Sequence, residues 1–182
     1  MKKMLELITS WLQEGVEPPI PLEAQAKLLD KKYEIKEIEV DIYDIVSGET
    51  NKQLVPVIGY KEIICNYRPK IHLQDYWMHV QVIDGQQHFK FYRIHNTIDG
   101  IYVQHAVHPH LSGGIPCFGS HQGDINTAFS EGNFVRFTSQ IKTYLCSYYG
   151  RSTYVKGTKF RKRGYKYQLH SSTEIKEMFL TE

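Results

Sequence analysis

The sequence predicts an α+β fold: an antiparallel β-meander with helices on one face, a helical arm before it and a basic tail after it. Three observations carry that expectation. Apolar residues recur at helical spacing near residues 2–31 and again beyond residue 124. Between them the period is two, broken by Asp-Gly turns. The stretch joining the last strand to the later helices is crowded with Gly, Pro and His. At 182 residues the chain can bury a core without disulfide support. Three segments are expected: an N-terminal helical arm with a Pro-rich connector (1–32), an α+β core (33–150) and a basic aromatic tail (151–182).

Residues 2–14 place Met4, Leu5, Leu7, Ile8, Trp11 and Leu12 on one broad helical face, with Lys2, Lys3, Glu6 and Gln13 off it. Gly15 offers a stop, and Pro18, Pro19 and Pro21 force an extended connector. Residues 22–31 suit a second short helix, with Pro21 acceptable at its start. From Tyr33 the period changes. Ile38, Val40 and Ile42 alternate with Glu37, Glu39 and Asp41, a half-buried strand with an acidic outer face. Ser47 to Asn51 reads as a loop, and Glu62 to Tyr67 as a short strand ended by Pro69.

The meander follows. Trp77 to Ile83 is its first strand, Asp84-Gly85 turns the chain, and Phe89 to His95 pairs back. Asp99-Gly100 makes a second turn, and Ile101, Val103, His105 and Val107 alternate along a third strand. Such short connections force antiparallel neighbours. Asp124 can then cap a short helix through Phe129. Asn133 can cap a longer one with Phe134, Phe137, Ile141, Leu145 and Tyr148 on one face, ended by Gly150. The tail gathers Lys156, Lys159, Arg161, Lys162, Arg163 and Lys166 among Phe160, Tyr165 and Tyr167, and a short helix with Ile175, Met178 and Phe179 closes it.

The totals exclude some classes of function. Twenty-two basic residues against 20 acidic ones give no global field, so whole-chain charge does not point to nucleic acid. Cys65, Cys117 and Cys146 are odd in number and widely spaced, which does not read as a disulfide framework. A reducing, intracellular compartment, the cytoplasm, is expected. Glu6 and Gln13 interrupt the N-terminal apolar residues, so neither secretion nor membrane insertion is expected.

Reactive side chains concentrate between Val107 and Gly119. The segment holds His108-Pro109-His110, the pair Gly113-Gly114, and Cys117 between Pro116 and Phe118-Gly119. A thiol reacts as thiolate, which helix N-termini and nearby cations favour. Cys117 lies just before a helical stretch, with His108, His110 and His121 close in sequence. Backbone N–H groups near Gly113, Gly114 and Gly119 suit an oxyanion, because glycine permits close approach. A nucleophile, an imidazole and such donors are the requirements of acyl transfer. His105, His108, His110, Cys117 and His121 also offer zinc-type ligands, but without paired CxxC or HxxxH spacing, so no metal or cofactor is expected. His79 and His88 read as surface or satisfied core groups.

A meander, His-Pro-X, a glycine-bearing loop, a cysteine and then a helix resembles the ubiquitin-conjugating enzymes and their bacterial and phage relatives. The resemblance covers roughly residues 33–150, and its specific part is about a dozen residues. His108 and Pro109 match the family's His-Pro, His110 stands at the place of its Asn, and Cys117 stands at its nucleophile. Prokaryotic relatives often carry His-Pro-His and Cys-X-Gly, as His108-Pro109-His110 and Cys117-Phe118-Gly119 do here. The chain departs from the pattern in three ways. The Asn is replaced, the interval from His110 to the cysteine is one residue short, and the Trp commonly found after the cysteine is absent.

The resemblance implies a ubiquitin-conjugating-like (UBC-like) fold and two functional expectations. One is a non-catalytic binding or assembly subunit in a phage or bacterial multi-protein complex, with protein partners or assembly subunits. It is favoured because the departures fall at catalytic positions. The other is an acyl carrier, with Cys117 holding a ubiquitin-like modifier as a thioester and passing it to an amine. In that role His110 steadies the oxyanion or the loop, His108 belongs to the turn, and Asp124 orients the amine. The sequence leaves open whether the chain is an enzyme. Lys159, Arg161, Lys162, Arg163, Tyr165 and Lys166 suit contact with nucleic-acid phosphates and bases, and equally with an acidic protein surface or a neighbouring subunit.

Overall fold

The computed structural model describes residues 1–44, 46–66, 70–150 and 153–154. Among these residues it is an α+β fold of four α-helices and a five-stranded antiparallel sheet that nearly closes on itself. Helices α1 (Lys2–Trp11) and α2 (Leu22–Lys32) come first. The main sheet takes β1 (Glu34–Tyr43), β2 (Thr50–Tyr60), β5 (Tyr76–Ile83), β6 (Gln86–Thr97) and β7 (Gly100–His105), in that spatial order. A small hairpin, β3 (Ile64–Cys65) with β4 (Ile71–His72), is inserted between β2 and β5. A second one, β8 (Leu111–Ser112) with β9 (Ile115–Pro116), follows β7. The chain then forms a 3₁₀ turn at Gly119–His121, α3 (Gln122–Ser130) and α4 (Phe134–Leu145).

Alternation along the strands fills two apolar clusters, one on each face of the sheet. On one face, Ile58, Tyr60, Tyr76, Met78, Val80 and Phe91 pack against all four helices. On the other, Ile38, Val40, Ile42, Val55, Val57, Trp77, Tyr92 and Ile94 pack against one another. The curl of the sheet encloses this second cluster, since β1 and β7 approach each other across it. At its centre Gly59 pairs with Trp77 across the strands, and a Cβ at Gly59 would lie 2.5 Å from the indole ring. Only glycine lets the ring lie flat on the backbone there.

Several expectations need correction. Residues 1–32 were expected as a helical arm that either packs on the core or serves for docking, and they pack: Met4, Leu7, Ile8 and Trp11 of α1 and Ala26 and Leu29 of α2 are buried in the helix-side core. Trp11 meets Phe134 and Phe137 edge-on, each at 5.5 Å between ring centroids. The sheet adds two strands to the expected three-stranded meander: the half-buried strand expected around Ile38–Ile42, and β2, which begins inside the expected loop at Ser47 to Asn51 and runs on where no strand was expected. Pro56 interrupts that segment, and a proline argues against a central strand. Here β2 pairs with β5 only over Ile58–Tyr60, so Pro56 sits where β1 is the sole neighbour. Of the strand expected over Glu62 to Tyr67, Ile64–Cys65 is strand among the described residues, and Tyr67 lies outside them.

The capping expectations divide. Asn133 caps α4, its Oδ1 accepting from the Arg136 amide at 3.1 Å. Asp124 does not cap α3; it lies in the first turn, and the capping position is His121. Gly150 is not the C-cap of α4, which is Cys146. The second meander turn is Ile98-Asp99, because Thr97 pairs with Gly100. The start of α4 has a further partner in Gln25 of α2. Its side-chain oxygen accepts from the amides of Phe134 (2.7 Å) and Val135 (3.2 Å), while its amide group donates to the carbonyls of Ile20 (2.8 Å) and Gly132 (2.9 Å). The basic residues Lys159, Arg161, Lys162, Arg163, Tyr165 and Lys166, and the expected closing helix, lie outside the described residues.

Candidate functional site

The segment from Val107 to Phe118 is fixed to the fold at nearly every residue. Tyr76 donates its hydroxyl to the Val107 carbonyl at 2.7 Å and receives the Arg93 guanidinium at 2.9 Å. His108 is fully buried. Its Nε2 donates to the Leu145 carbonyl at 2.7 Å, and its Nδ1 accepts from the His110 amide at 3.0 Å. These partners define a neutral tautomer with the proton on Nε2. Burial is the main force that pulls its pKa down to about 3.

His110 is also buried, and it works through both backbone and ring. Its carbonyl accepts from the Tyr144 hydroxyl and from the Cys117 amide. Its Nε2 accepts from the Tyr149 amide at 3.0 Å. The ring therefore ties the chain after α4 to the turn. The β8–β9 hairpin completes the frame, with Gly113 and Gly114 at positive φ in its two-residue turn. Gly114 accepts from the Phe91 amide at 2.8 Å, and a Cβ on it would lie 2.6 Å from the Phe91 carbonyl oxygen. This close approach anchors the loop to β6.

Cys117 emerges from this frame exposed to solvent. The next side chain, Phe118, is buried between Phe89 (5.2 Å) and Tyr144 (4.9 Å). The thiol is thus carried between two fixed points. Of the three cysteines, Cys117 alone is exposed; Cys146 is half-buried and Cys65 is buried. The Cys65 thiol contacts the Ser147 carbonyl at 3.0 Å, and burial pushes its pKa up to about 12.

Two hollows meet at Cys117. One is a cavity of about 370 Å³ lined by His110, Phe118, His121, Tyr144 and Tyr149 as well as Cys117. The other is a wider groove of about 1010 Å³ that runs from Cys117 past Pro116 and Phe89 to the β5–β6 hairpin. The amides of Phe118, Gly119 and Ser120 make no hydrogen bond among the described residues. They lie at the start of the 3₁₀ turn that runs into α3, the end of a helix that attracts negative charge.

The expected site residues therefore separate. His110 and Cys117 line one cavity, while His108 lies beneath it as part of the frame. Asp124 is exposed, 3.9 Å from Arg136, and lines neither hollow. His105 packs against Tyr92 on the opposite sheet face. Among the described residues no group of three His, Cys, Asp or Glu side chains is placed to hold a metal ion. Sequence reasoning missed Tyr144, which follows Ile141 by three positions on the buried helix face and was legible in that spacing. It also missed Tyr149, whose role depends on how the chain leaves α4.

No protein-family model, curated protein or solved structure matches this chain. Among the described residues, no helix is long and apolar enough to cross a membrane.

Proposed function

We propose that the chain is a UBC-like acyl carrier, with Cys117 accepting the C-terminus of a ubiquitin-like modifier as a thioester and passing it to an amine. The observation that carries this reading is the exposure of Cys117 at the junction of a groove and a cavity, on a loop otherwise pinned to the core. A purely structural cysteine is expected to be buried, as Cys65 is. In loading, the Cys117 thiolate attacks the carbonyl carbon of a modifier thioester. A new C–S bond forms, and the donor's sulfur leaves as a thiolate. The groove suits an extended C-terminal tail, and the amides of Phe118 to Ser120 suit the transient oxyanion. His110 serves the loop rather than the oxyanion, because its ring is engaged with Tyr149.

The test is the intact mass of the chain isolated from its own cells, quenched in acid without thiols. The expected result is a fraction heavier by the mass of a small protein, released by dithiothreitol and absent from Cys117→Ala. The bare chain mass in both proteins supports instead a binding or assembly subunit on the same scaffold.

A further inference from the structure

Two cysteines that play no part in the proposed function come together beneath the His-Pro-His turn. Cys65 is the last residue of β3, and Cys146 is the C-cap of α4. They are far apart in sequence, but the contacts around them make them neighbours in space. The Asn66 amide donates to the Cys146 carbonyl at 2.9 Å. Backbones joined by such a bond run about 5 Å apart, inside the α-carbon separation that a disulfide spans. The Cys65 Sγ lies 3.0 Å from the Ser147 carbonyl oxygen and 3.7 Å from that of Leu145, so it sits beside the residue between them. Cys65 belongs to the helix-side core, and Cys146 packs against that same cluster. Both are thiols in this structure. They differ in readiness to react. Cys146 is half-buried, whereas burial first, and then the charge of Cys146, hold the Cys65 thiol protonated.

We infer that Cys65 and Cys146 are a redox pair, which a small-molecule disulfide such as glutathione disulfide converts to an intramolecular disulfide. The pair is independent of the acyl-carrier reading of Cys117. In the first step the Cys146 thiolate attacks one sulfur of glutathione disulfide, and one glutathione leaves as a thiolate. Cys65 then attacks the Cys146 sulfur of the mixed disulfide. The second glutathione leaves and takes up the proton that Cys65 loses. Two protein thiols are oxidised, and one glutathione disulfide is reduced to two thiols. The bond holds the exit of α4. There the Leu145 carbonyl accepts from His108, and Ser147 and Tyr149 line the cavity beside Cys117. The disulfide therefore ties the β3–β4 hairpin to one wall of that cavity. A bond that closes so long a loop stabilises the fold chiefly by restricting the unfolded chain. The alternative is a pair of small apolar side chains packed together, an ordinary use of buried cysteines.

The test uses the full chain carrying Cys117→Ala, which keeps the exposed thiol out of the reaction. The folded protein is incubated with glutathione disulfide until an unstructured peptide with two cysteines is fully oxidised alongside it. The protein is then unfolded in the presence of an alkylating agent and digested for mass spectrometry. The expected result is a Cys65–Cys146 bond, with neither cysteine alkylated and no glutathione attached. Dithiothreitol should return both to alkylatable thiols. The oxidised chain should melt about 5 °C or more above the reduced one. Glutathione retained on Cys146 with Cys65 still a thiol overturns the pairing, because the two sulfurs then do not meet in the folded chain. Two free thiols overturn it as well and leave the cysteines as packing groups. A Cys65–Cys146 bond that lowers the melting temperature also overturns it, because the bond then forms only by distorting the fold.

Discussion

At the residue scale, the two histidines of the His-Pro-His turn do different work from what their position in the sequence suggests. His108 is a buried neutral strut, and His110 ties Tyr149 and Cys117 to the turn. His108 is held at a pKa of about 3 and His79 at about 4, burial being the largest cause for each. Both folded values lie below the ordinary 6.5. Below that value the unfolded chain takes up protons that the folded chain refuses, so it is favoured as the solution is acidified. Stability is therefore full above about pH 6.5 and falls as pH drops toward 4 and then 3. Thermal melting should show the melting temperature falling steadily between pH 6.5 and 4. In His108→Gln the acid limb should be shallower, although the variant starts from a lower value at neutral pH. A melting temperature constant over that interval would mean that these rings are not buried in their neutral form.

At the element scale, the helices before the sheet are hydrogen-bonded to the start of α4 through the side chain of Gln25. Gln25 closes four hydrogen bonds between α2, the connector before it and the start of α4. Gln25→Ala leaves buried amides of α4 and two carbonyls without that partner. The expected loss is about 2 kcal/mol, read from the urea midpoint at unchanged slope. A change within about 0.5 kcal/mol, the range of an ordinary surface substitution, would show that water replaces the glutamine. Which elements were legible in the sequence follows from how local their cause is. The Asp84-Gly85 turn, the Asn133 cap and the face of α1 depend on neighbours in sequence, and they could be read there. Strand β2 could not, because Pro56 breaks the local signal and pairing with β1, joined by β5 over Ile58–Tyr60, makes the strand. The bond from Gln25 to α4 spans more than a hundred positions and leaves no local trace.

At the scale of the whole molecule, the N-terminal helices complete the core. Trp11 lies among Phe129, Phe134 and Phe137, and these aromatic rings in turn support Phe89 and so the floor of Cys117's loop. Trp11→Ala should cost about 3–5 kcal/mol, and deletion of residues 1–21 should leave a chain without cooperative melting. A truncated chain that melts cooperatively near the full-length temperature would return these helices to the status of a detachable arm. The site was legible to the same limited degree as the fold. The sequence marked Cys117, His110, His121 and the glycines beside them, whereas Tyr144 and Tyr149, which complete the cavity, are brought there by the packing and exit of α4.

The proposed function requires Cys117 to be an acyl-accepting thiol rather than an exposed but idle one. The most direct measurement is the rate at which each cysteine takes the acyl group from the C-terminal thioester of a ubiquitin-like modifier near neutral pH, mapped by mass spectrometry. Transfer to Cys117 should be at least about tenfold faster than to a cysteine in an unstructured peptide, since the loop is already in place and the amides of Phe118 to Ser120 make no hydrogen bond among the described residues. Cys65 should take none while the chain is folded, and Cys117→Ala should abolish the product. Transfer to Cys117 no faster than to the peptide, or equal labelling of Cys117 and Cys146, would contradict it.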